Sequence, residues 1–511
     1  MWIPPLNPFN NIALSFIAAI SPIILLTSLL IVVKLPSHKA ILIASIATMI
    51  IAITIYGMPL HLAVASYAYG VLYGLWPISW IVINAMILLN IAEEAGSIKS
   101  LEEWVLRNIL SGRIAQMLFI AFLFGSLIEG IDGFGFPIAI ASALLVRLGF
   151  SPLSAVLIAL LANTITVPYA SLGVPILTLS LVTNLDYHTL ASSVALQLIP
   201  FSIIIPFLMA LKAKEKKGIK ENLDVVLLSG ITMGTMIYLV AYYINPYLSG
   251  ILGPMASMII VTLYERLRHT RNKDYGNKRK TIHGWIPWIY VILLMTICLT
   301  LNITKLFTIR VEIPYLHGQV YIKLYGKTYD AIYEWSPIAH GTIVLIATLL
   351  TAATYKIKTK RVICIAYNTI KRLEGSILTI TMALGMAFLM NYSGISLTIG
   401  YTLSLLKRVY PFMSALIGWL GTFITGSCTG SNALFGNLQR ISAELLGISP
   451  YVTTTANVTG GVLGKIVSLQ SITIGTSAAG LFGKEGEVMR KLLPYSLALT
   501  LILSILVFLQ S

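Results

Sequence analysis

The chain has 511 residues, of which 57% are hydrophobic and only 11% charged, and its mean hydropathy is +0.86. Soluble domains carry about 25% charged residues, so this composition excludes a soluble protein and predicts an all-α polytopic membrane protein. The formal net charge of +16 comes from basic residues in short loops, which is typical of cytoplasmic loops. We therefore expect a lipid bilayer around the chain and no nucleic acid as a partner.

Apolar runs of about 20 residues recur along the chain, as membrane-spanning helices require. They predict about twelve spans, at residues 12–33, 40–56, 72–93, 152–180, 189–210, 223–243, 250–266, 285–302, 337–355, 372–392, 450–479 and 491–510. The loops predicted to be cytoplasmic carry the basic clusters at residues 34–39, 212–220, 266–280 and 356–361. The N-terminus then lies outside, and residues 303–336 form an external excursion with the alternation of a small hairpin.

Residues 114–150 and 411–446 are each too long for one span and carry a break rich in Gly, Ser or Thr at their centre. A backbone that leaves helical geometry within lipid must be buried in protein or line a wet cavity. We predict that both segments are re-entrant hairpins whose tips approach each other from opposite sides. Residues 152–180 and 450–479, which follow the hairpins, combine Gly with polar residues and are predicted to be broken helices.

The two halves of the chain resemble each other at a fixed offset. LGFSP begins at Leu148 and LGISP at Leu446 (446 − 148 = 298), and Gly96 and Gly394 have the same offset (394 − 96 = 298). Two linking spans give the second half the opposite orientation, as in the inverted repeats of secondary transporters. The predicted domains are a first repeat, a linking segment and a second repeat, at residues 1–210, 211–284 and 285–511.

The tip of the first hairpin reads EGIDGFGFP and places Glu129 and Asp132 beside Gly133 and Gly135. A charge at the bilayer centre costs about 2.5–3.5 kcal/mol, and each Gly within a helix costs about 1 kcal/mol relative to Ala. A turn in water would avoid these costs, but no basic flank marks such a loop. We predict that Glu129 and Asp132 belong to a hairpin tip within the membrane and that the two glycines open the backbone to a substrate.

The tip of the second hairpin, TGSCTGSNALFGNLQ, contributes Ser427, Ser431 and Asn432. A helix that starts after such a break exposes free N–H groups and carries about half a positive elementary charge, so it attracts anions. The alternative for any single serine is small-residue helix packing, which is common in membranes. For the whole cluster we predict a substrate site for a small carboxylate.

The broken helices add five polar candidates for that site, namely Asn163, Thr164, Asn457, Lys465 and Gln470. Lys465 lies about halfway along its span, too far from either surface to snorkel easily. It either pairs with Glu129 or Asp132 as a structural bridge or binds the substrate's carboxylate, and the sequence leaves both alternatives open. No metal site and no cofactor are predicted, because the histidines and cysteines form no ligand-like group.

Four long blocks of this sequence resemble the signature blocks of the L-lactate permease family: EGIDGFGFPIAIASALLVRLGF, ANTITVPYASLGVPI, GWLGTFITGSCTGSNALFGNLQ and ANVTGGVLGKIVSLQSITIGTSAAGLFGKEGE. The resemblance implies proton-coupled symport of 2-hydroxy monocarboxylates such as lactate or glycolate across the plasma membrane, and with it Glu129 and Asp132 become the candidate proton-coupling residues. It also implies a fold of paired hairpins like that of the ion-transporter superfamily. A homodimer is a possible assembly.

Two positions depart from the family pattern. The second tip of the family usually reads G-S-D-T, where this chain has Cys428 in place of the acid, and the first tip usually has a small residue at the position of Asp132. We hypothesise that the tips lie close enough for Asp132 to replace the lost proton-linked carboxylate. The alternative is that Asp132 faces water and that the coupling has changed.

Two other functions are alternatives. A sodium-coupled carboxylate or dicarboxylate carrier of similar fold is the nearer one, although a substrate with two carboxylates needs more cations than Lys465 alone. An intramembrane hydrolase with Ser427 or Cys428 as nucleophile is more distant, because no histidine lies in a predicted span near either residue. We therefore predict a transporter and not an enzyme.

Overall fold

The computed structural model describes the chain apart from residues 109–111, 134, 214–220, 269–277 and 324–325. The helices of its first half are α1 (Ile12–Ile31), α2 (Ser37–Thr54), α3 (Leu60–Glu94), α4 (Ser97–Asn108), α5 (Arg113–Ile131), α6 (Phe136–Arg147), α7 (Pro152–Ala162), α8 (Ala170–Thr183) and α9 (Tyr187–Lys212). π-Helical turns occur within α3 and α5, at Gly74–Ser79 and Leu118–Phe124.

Two linking helices, α10 (Leu223–Ile244) and α11 (Ser249–Arg268), join the halves. The helices of the second half are α12 (Lys278–Thr300), α13 (His340–Thr354), α14 (Thr359–Ser393), α15 (Ile395–Ser404), α16 (Tyr410–Thr425), α17 (Cys428–Leu446), α18 (Pro450–Lys465), α19 (Leu469–Ala478) and α20 (Glu485–Gln510). Short helical turns occur at Val167–Tyr169, Pro246–Leu248, Ile303–Leu306 and Lys407–Val409.

The predicted fold class, a helical polytopic membrane protein, is confirmed, but the number of spans differs. Ten described helices are long and apolar enough to cross a membrane, or eleven if the bent pair of α7 and Val167–Thr183 is one span. The predicted span 285–302 lies largely within α12, which has 23 residues, and the predicted span 337–355 corresponds to the shorter apolar helix α13. At 1.5 Å per residue the 15 residues of α13 reach about 23 Å, less than the thickness of the hydrocarbon core.

Two helical hairpins and two broken helices interrupt the regular spans. In the hairpins, α5 packs against α6, and α16 packs against α17. In the first broken helix, α7 and the helix after it are bent by 66°. In the second, α18 ends at Lys465 and α19 begins after its N-cap Ser468.

The same succession of elements occurs in both halves: a short helix, a hairpin, a broken helix and a long span. Three pairs of corresponding helices start at the offset of the sequence repeat. The pairs of starting positions are 97 and 395 for α4 and α15, 152 and 450 for α7 and α18, and 187 and 485 for α9 and α20. The domain limits at residues 210 and 284 stay a prediction.

Apart from α15, which contacts helices of both, the described helices form two bundles. The hairpin bundle contains α5–α11 and α16–α20, and the flanking bundle contains α1–α4 and α12–α14. Within the flanking bundle, the long helix α14 packs along α2 and α3 and also contacts α17 of the hairpin bundle. α14 therefore lies at the interface of the two bundles.

Residues 303–336 form the small β structure that the sequence predicts. β1 (Ile309–Glu312) pairs antiparallel with β4 (Ile332–Trp335), and β2 (Tyr321–Ile322) with β3 (Lys327–Thr328). Trp2 forms a bridge with Val320 of this segment, so the N-terminus and the excursion lie on the same face of the molecule. That this face is the outer one stays a prediction.

Candidate functional site

The two hairpin tips and the two broken helices meet around one cavity of about 290 Å³, which we call the inner cavity. The tips line it with Gly133, Gly135 and residues 425–429. The broken helices and the flanking bundle supply most of the remaining wall, including Ala170, Ser171, Val174, Lys465, Gln470, Ser471, Ser37, His38, Arg372, Ser376 and Thr379. The predicted site residues at this surface are Gly133, Gly135, Ser427, Lys465 and Gln470.

Four helices start at the wall of the inner cavity. α6 follows Gly135, α8 becomes regular after Gly173, α17 follows its N-cap Ser427, and α19 follows its N-cap Ser468. The first N–H groups of a helix have no partner within the helix, and the dipole places about half a positive elementary charge there. Four such ends around one small space favour an anion.

Lys465, in the last turn of α18, connects the cavity wall to the first hairpin. Its Nζ donates to Glu129 Oε1 at 2.6 Å, and Asn163 Nδ2 donates to Glu129 Oε2 at 2.8 Å. The side chain of Glu129 is fully buried, and that of Lys465 is 8% exposed. In this conformation Lys465 is paired, and its partner is Glu129.

A chain of amides lies behind the cavity wall. Asn432 Nδ2 donates to the Pro175 carbonyl at 2.9 Å, and Asn457 Nδ2 donates to Asn432 Oδ1 at 2.9 Å. Gln439 Nε2 donates to Asn457 Oδ1 at 3.5 Å. Asn432 and Asn457, predicted to contact substrate, are thus fully buried and joined to protein, where they hold α8, α17 and α18 together.

Three further predicted residues also lie away from the inner cavity surface. Thr164 Oγ1 donates to a carbonyl of α7 at 2.9 Å, and Ser431 Oγ donates to a carbonyl of α16 at 3.3 Å. Asp132 is fully buried, and its carbonyl accepts a hydrogen bond from Ser171 Oγ at the start of α8. This burial does not fit the alternative in which Asp132 faces water.

Cys428, at the position where the family usually has an acid, is buried at the start of α17. It lies within electrostatic range of both Lys465 and Glu129. An acid at this position would therefore lie near the same ammonium group that Glu129 contacts in this chain. The idea that Asp132 replaces the lost acid stays a prediction.

Sequence reasoning missed Arg372 and Ser171. Arg372 lies at the cytoplasmic end of a predicted span, where a basic residue is expected in any case, and only the packing of α14 brings it to the inner cavity. Ser171 begins a run with Leu172 and Gly173 in which φ is 47°, 61° and 82°. Because such values are uncommon outside glycine, only the cluster of Pro and Gly around Ser171 could have indicated this break.

Comparison with known proteins shows the family of the chain. The family model described as L-lactate permease matches residues 15–511. The chain belongs to the L-lactate permease family. The glycolate permease GlcA of Escherichia coli (strain K12) is 33% identical over 100% of this chain and 98% of its own length.

Two L-lactate permeases match this chain over the same share of its length. The L-lactate permease of Salmonella typhimurium is 34% identical, and that of Bacillus subtilis (strain 168) is 31% identical, each over 100% of this chain and 98% of its own length. The solved structure of the Alcanivorax borkumensis YdaH transporter is similar with a TM-score of 0.44, at 17% identity over 84% of each chain. The family and the apolar helices make the chain a multi-pass transmembrane permease.

Proposed function

We propose that this permease carries small 2-hydroxy monocarboxylates, such as lactate and glycolate, together with protons across the plasma membrane. The observation that carries the proposal is the inner cavity, where four helix N-termini surround the ammonium end of a buried ion pair. This arrangement offers positive potential to one carboxylate. The names of the relatives, L-lactate permease and glycolate permease, agree with this substrate class.

Lys465 links the substrate to the proton in this proposal. In the empty site its ammonium group neutralises Glu129. A substrate carboxylate that attracts Lys465 leaves Glu129 without its counter-charge, and an unpaired buried carboxylate is strongly unfavourable. Protonation of Glu129 removes that cost, so one proton enters the site with each anion.

The exchange keeps the net charge of the site unchanged. Without substrate, one ammonium faces one carboxylate; with substrate, the same ammonium faces the substrate's carboxylate and Glu129 is neutral. Moving a lone anion into a negative interior costs about 2.3 kcal/mol per 100 mV, and one co-transported proton removes this penalty. We therefore expect electroneutral transport with one proton for each acid.

The tips supply the remaining contacts. Free N–H groups at the starts of α6 and α17 bind carboxylate oxygens, and the side chains of Ser427 and Gln470, which line the inner cavity, bind the 2-hydroxyl group. Water exclusion between the tips strengthens each of these contacts, since hydrogen bonds are stronger in a low dielectric.

Alternating access moves the hairpin bundle against the flanking bundle. The inner cavity lies between the two bundles and reaches Ser37 and His38, next to the basic cluster at residues 34–39. We propose that this end faces the cytoplasm, as the positive-inside rule favours, and that the described conformation is inward-open.

Sodium coupling is the second candidate, and one observation favours it. Asn163 Oδ1 and Thr166 Oγ1 are buried in the first break and accept no hydrogen bond from the residues that the structure describes. Amide and hydroxyl oxygens beside an unwound backbone are common ligands of Na⁺ in transporters. This candidate differs from the first in the ion that drives uptake.

The test is uptake of labelled lactate, glycolate and succinate into proteoliposomes under an imposed proton or sodium gradient. We expect an inward proton gradient to drive accumulation of lactate and glycolate, while a sodium gradient has no effect. Accumulation of succinate driven by sodium would overturn both the substrate class and the coupling ion.

A further inference from the structure

The wall of the inner cavity opposite the hairpin tips belongs to α14 of the flanking bundle. Arg372, Ser376 and Thr379 line the cavity from this helix, and Ser427 and Gln470 line it from the hairpin bundle. Any solute held by the tips therefore also faces α14.

Arg372 differs from Lys465 in having no counter-ion. Lys465 is paired with Glu129 at 2.6 Å. Arg372 is exposed, and it forms no ion pair or hydrogen bond with the part of the chain that the structure describes. Among the described residues that line the inner cavity, Arg372 is thus the cation available to an anion before any proton moves.

We infer that Arg372 binds the substrate's carboxylate from the flanking bundle while the helix N-termini of the tips bind it from the hairpin bundle. The inference rests on the proposed function and adds a specificity-determining residue to it. A guanidinium group matches a carboxylate with two parallel N–H···O bonds, which an ammonium group cannot form.

The position of Arg372 gives this contact a second consequence. The anion bridges two bundles that move against each other, so its binding draws α14 toward the tips and closes the inner cavity around it. Empty tips make no such contact with Arg372, and closure is therefore coupled to occupancy.

Equilibrium binding and uptake of labelled lactate by three purified variants test the inference. Arg372→Gln is expected to raise the Kd and the KM for lactate by about 10- to 100-fold, the effect of one lost charge-assisted hydrogen-bonding group. Arg372→Lys keeps the charge and loses the two parallel N–H···O bonds of the guanidinium group. Its Kd and KM are therefore expected to lie between those of Arg372→Gln and those of the unmodified protein. Lys371→Gln, the matched control on the neighbouring exposed position, is expected to leave both constants unchanged.

A measurement on the unmodified protein covers the case in which Arg372→Gln does not fold. The measurement is the rate at which phenylglyoxal modifies each arginine, followed by peptide mass spectrometry. Lactate is expected to slow the modification of Arg372. It is expected not to protect Arg361, which pairs with Glu94 at 2.8 Å. An unchanged Kd and KM in a folded Arg372→Gln variant would overturn the inference. So would an equal effect of lactate on the modification rates of Arg372 and Arg361. Failure of the unmodified protein to bind or carry lactate would instead reject the proposed function.

Discussion

Glu129 and Lys465 form an ion pair between side chains that are 0% and 8% exposed, inside a chain that is 57% hydrophobic. Two charges in such surroundings stabilise the fold only as a pair, because each alone would lose its hydration without compensation. The sequence indicates both residues, since a charge within an apolar span is visible without structure. It does not indicate that they meet, because they belong to opposite halves of the chain and Asp132 would suit Lys465 equally well as a partner.

We predict that Lys465→Met lowers the free energy of unfolding by about 3–5 kcal/mol, since it leaves Glu129 buried and unpaired. The double variant Glu129→Gln with Lys465→Met is expected to regain most of this loss. Thermal unfolding of the purified proteins measures both effects.

The matched control for this prediction is the exposed pair of Lys491 and Glu487, whose Nζ and Oε1 are 3.5 Å apart. Lys491→Met is expected to change stability by less than about 1 kcal/mol. If Lys465→Met changed the free energy of unfolding as little as Lys491→Met, an unpaired Glu129 would not be as unfavourable as the coupling mechanism requires.

The second hairpin turns at Gly426, where φ is +71°. A Cβ added there would lie 2.4 Å from Gln470 Oε1 and 3.0 Å from Gln470 Cβ, so the side chain of Gln470 at the start of α19 would have to move. Gly447, which ends α17, has a similar φ of +69° but nothing within 4 Å of an added Cβ. The two glycines share the same backbone strain and differ only in the space around them.

We predict that Gly426→Ala lowers lactate uptake more than Gly447→Ala does, because the added methyl group displaces the side chain of Gln470, which lines the inner cavity. Gly447→Ala is expected to cost only the left-handed strain, about 1–2 kcal/mol, and to keep uptake near that of the unmodified protein. The measurement is the initial rate of lactate uptake into proteoliposomes, normalised to the amount of folded protein. Equal loss in both variants would mean that strain, and not the contact with Gln470, decides the outcome.

At the scale of elements, the sequence predicts the hairpins and the broken helices, because clustered Gly, Ser and Pro weaken a helix just where an apolar run should favour one. The predicted number of about twelve spans is close to the ten or eleven described helices that are long and apolar enough to cross a membrane, although apolar composition does not reveal that α13 begins only at His340, after the excursion. The sequence also places Asn432 and Asn457 at the substrate, although the structure joins them to each other at 2.9 Å. A polar residue in a break can serve a solute or a neighbouring helix, and only packing decides between them.

On the side of the excursion, the two bundles are joined through Asn391 of α14. Its Nδ2 donates to the Val182 carbonyl of α8 at 3.1 Å, and Asn437 Nδ2 of α17 donates to Asn391 Oδ1 at 2.8 Å. These contacts lie at the end of the interface opposite Arg372. They therefore stabilise the conformation in which the inner cavity is open.

We predict that Asn391→Ala shifts the population away from the inward-open state, since two hydrogen bonds of about 1 kcal/mol each are lost only there. The readout is labelling of a Ser376→Cys reporter in the inner cavity by a water-soluble maleimide, followed at that position by mass spectrometry. Labelling is expected to fall several-fold. Asn368→Ala, at an exposed position on the same helix, is expected to leave it unchanged, and an equal fall there would remove Asn391 from the mechanism.

At the scale of the whole molecule, the sequence repeat predicts two related halves but not their division into moving parts. The bundles cut across the repeat, because α3 of the first half and α14 of the second pack in the same flanking bundle. No local sequence pattern indicates which helices belong to which bundle. The position of the inner cavity between the bundles is what links the site to alternating access.

The central claim is that the proton enters at Glu129 when substrate takes Lys465. It is tested most directly by Glu129→Gln, which is neutral at every pH, assayed for lactate accumulation driven by a proton gradient and for lactate counterflow without a gradient. The coupling mechanism predicts that accumulation is lost while counterflow continues. Accumulation that persists in Glu129→Gln, above all if it is lost in Asp132→Asn instead, would contradict it.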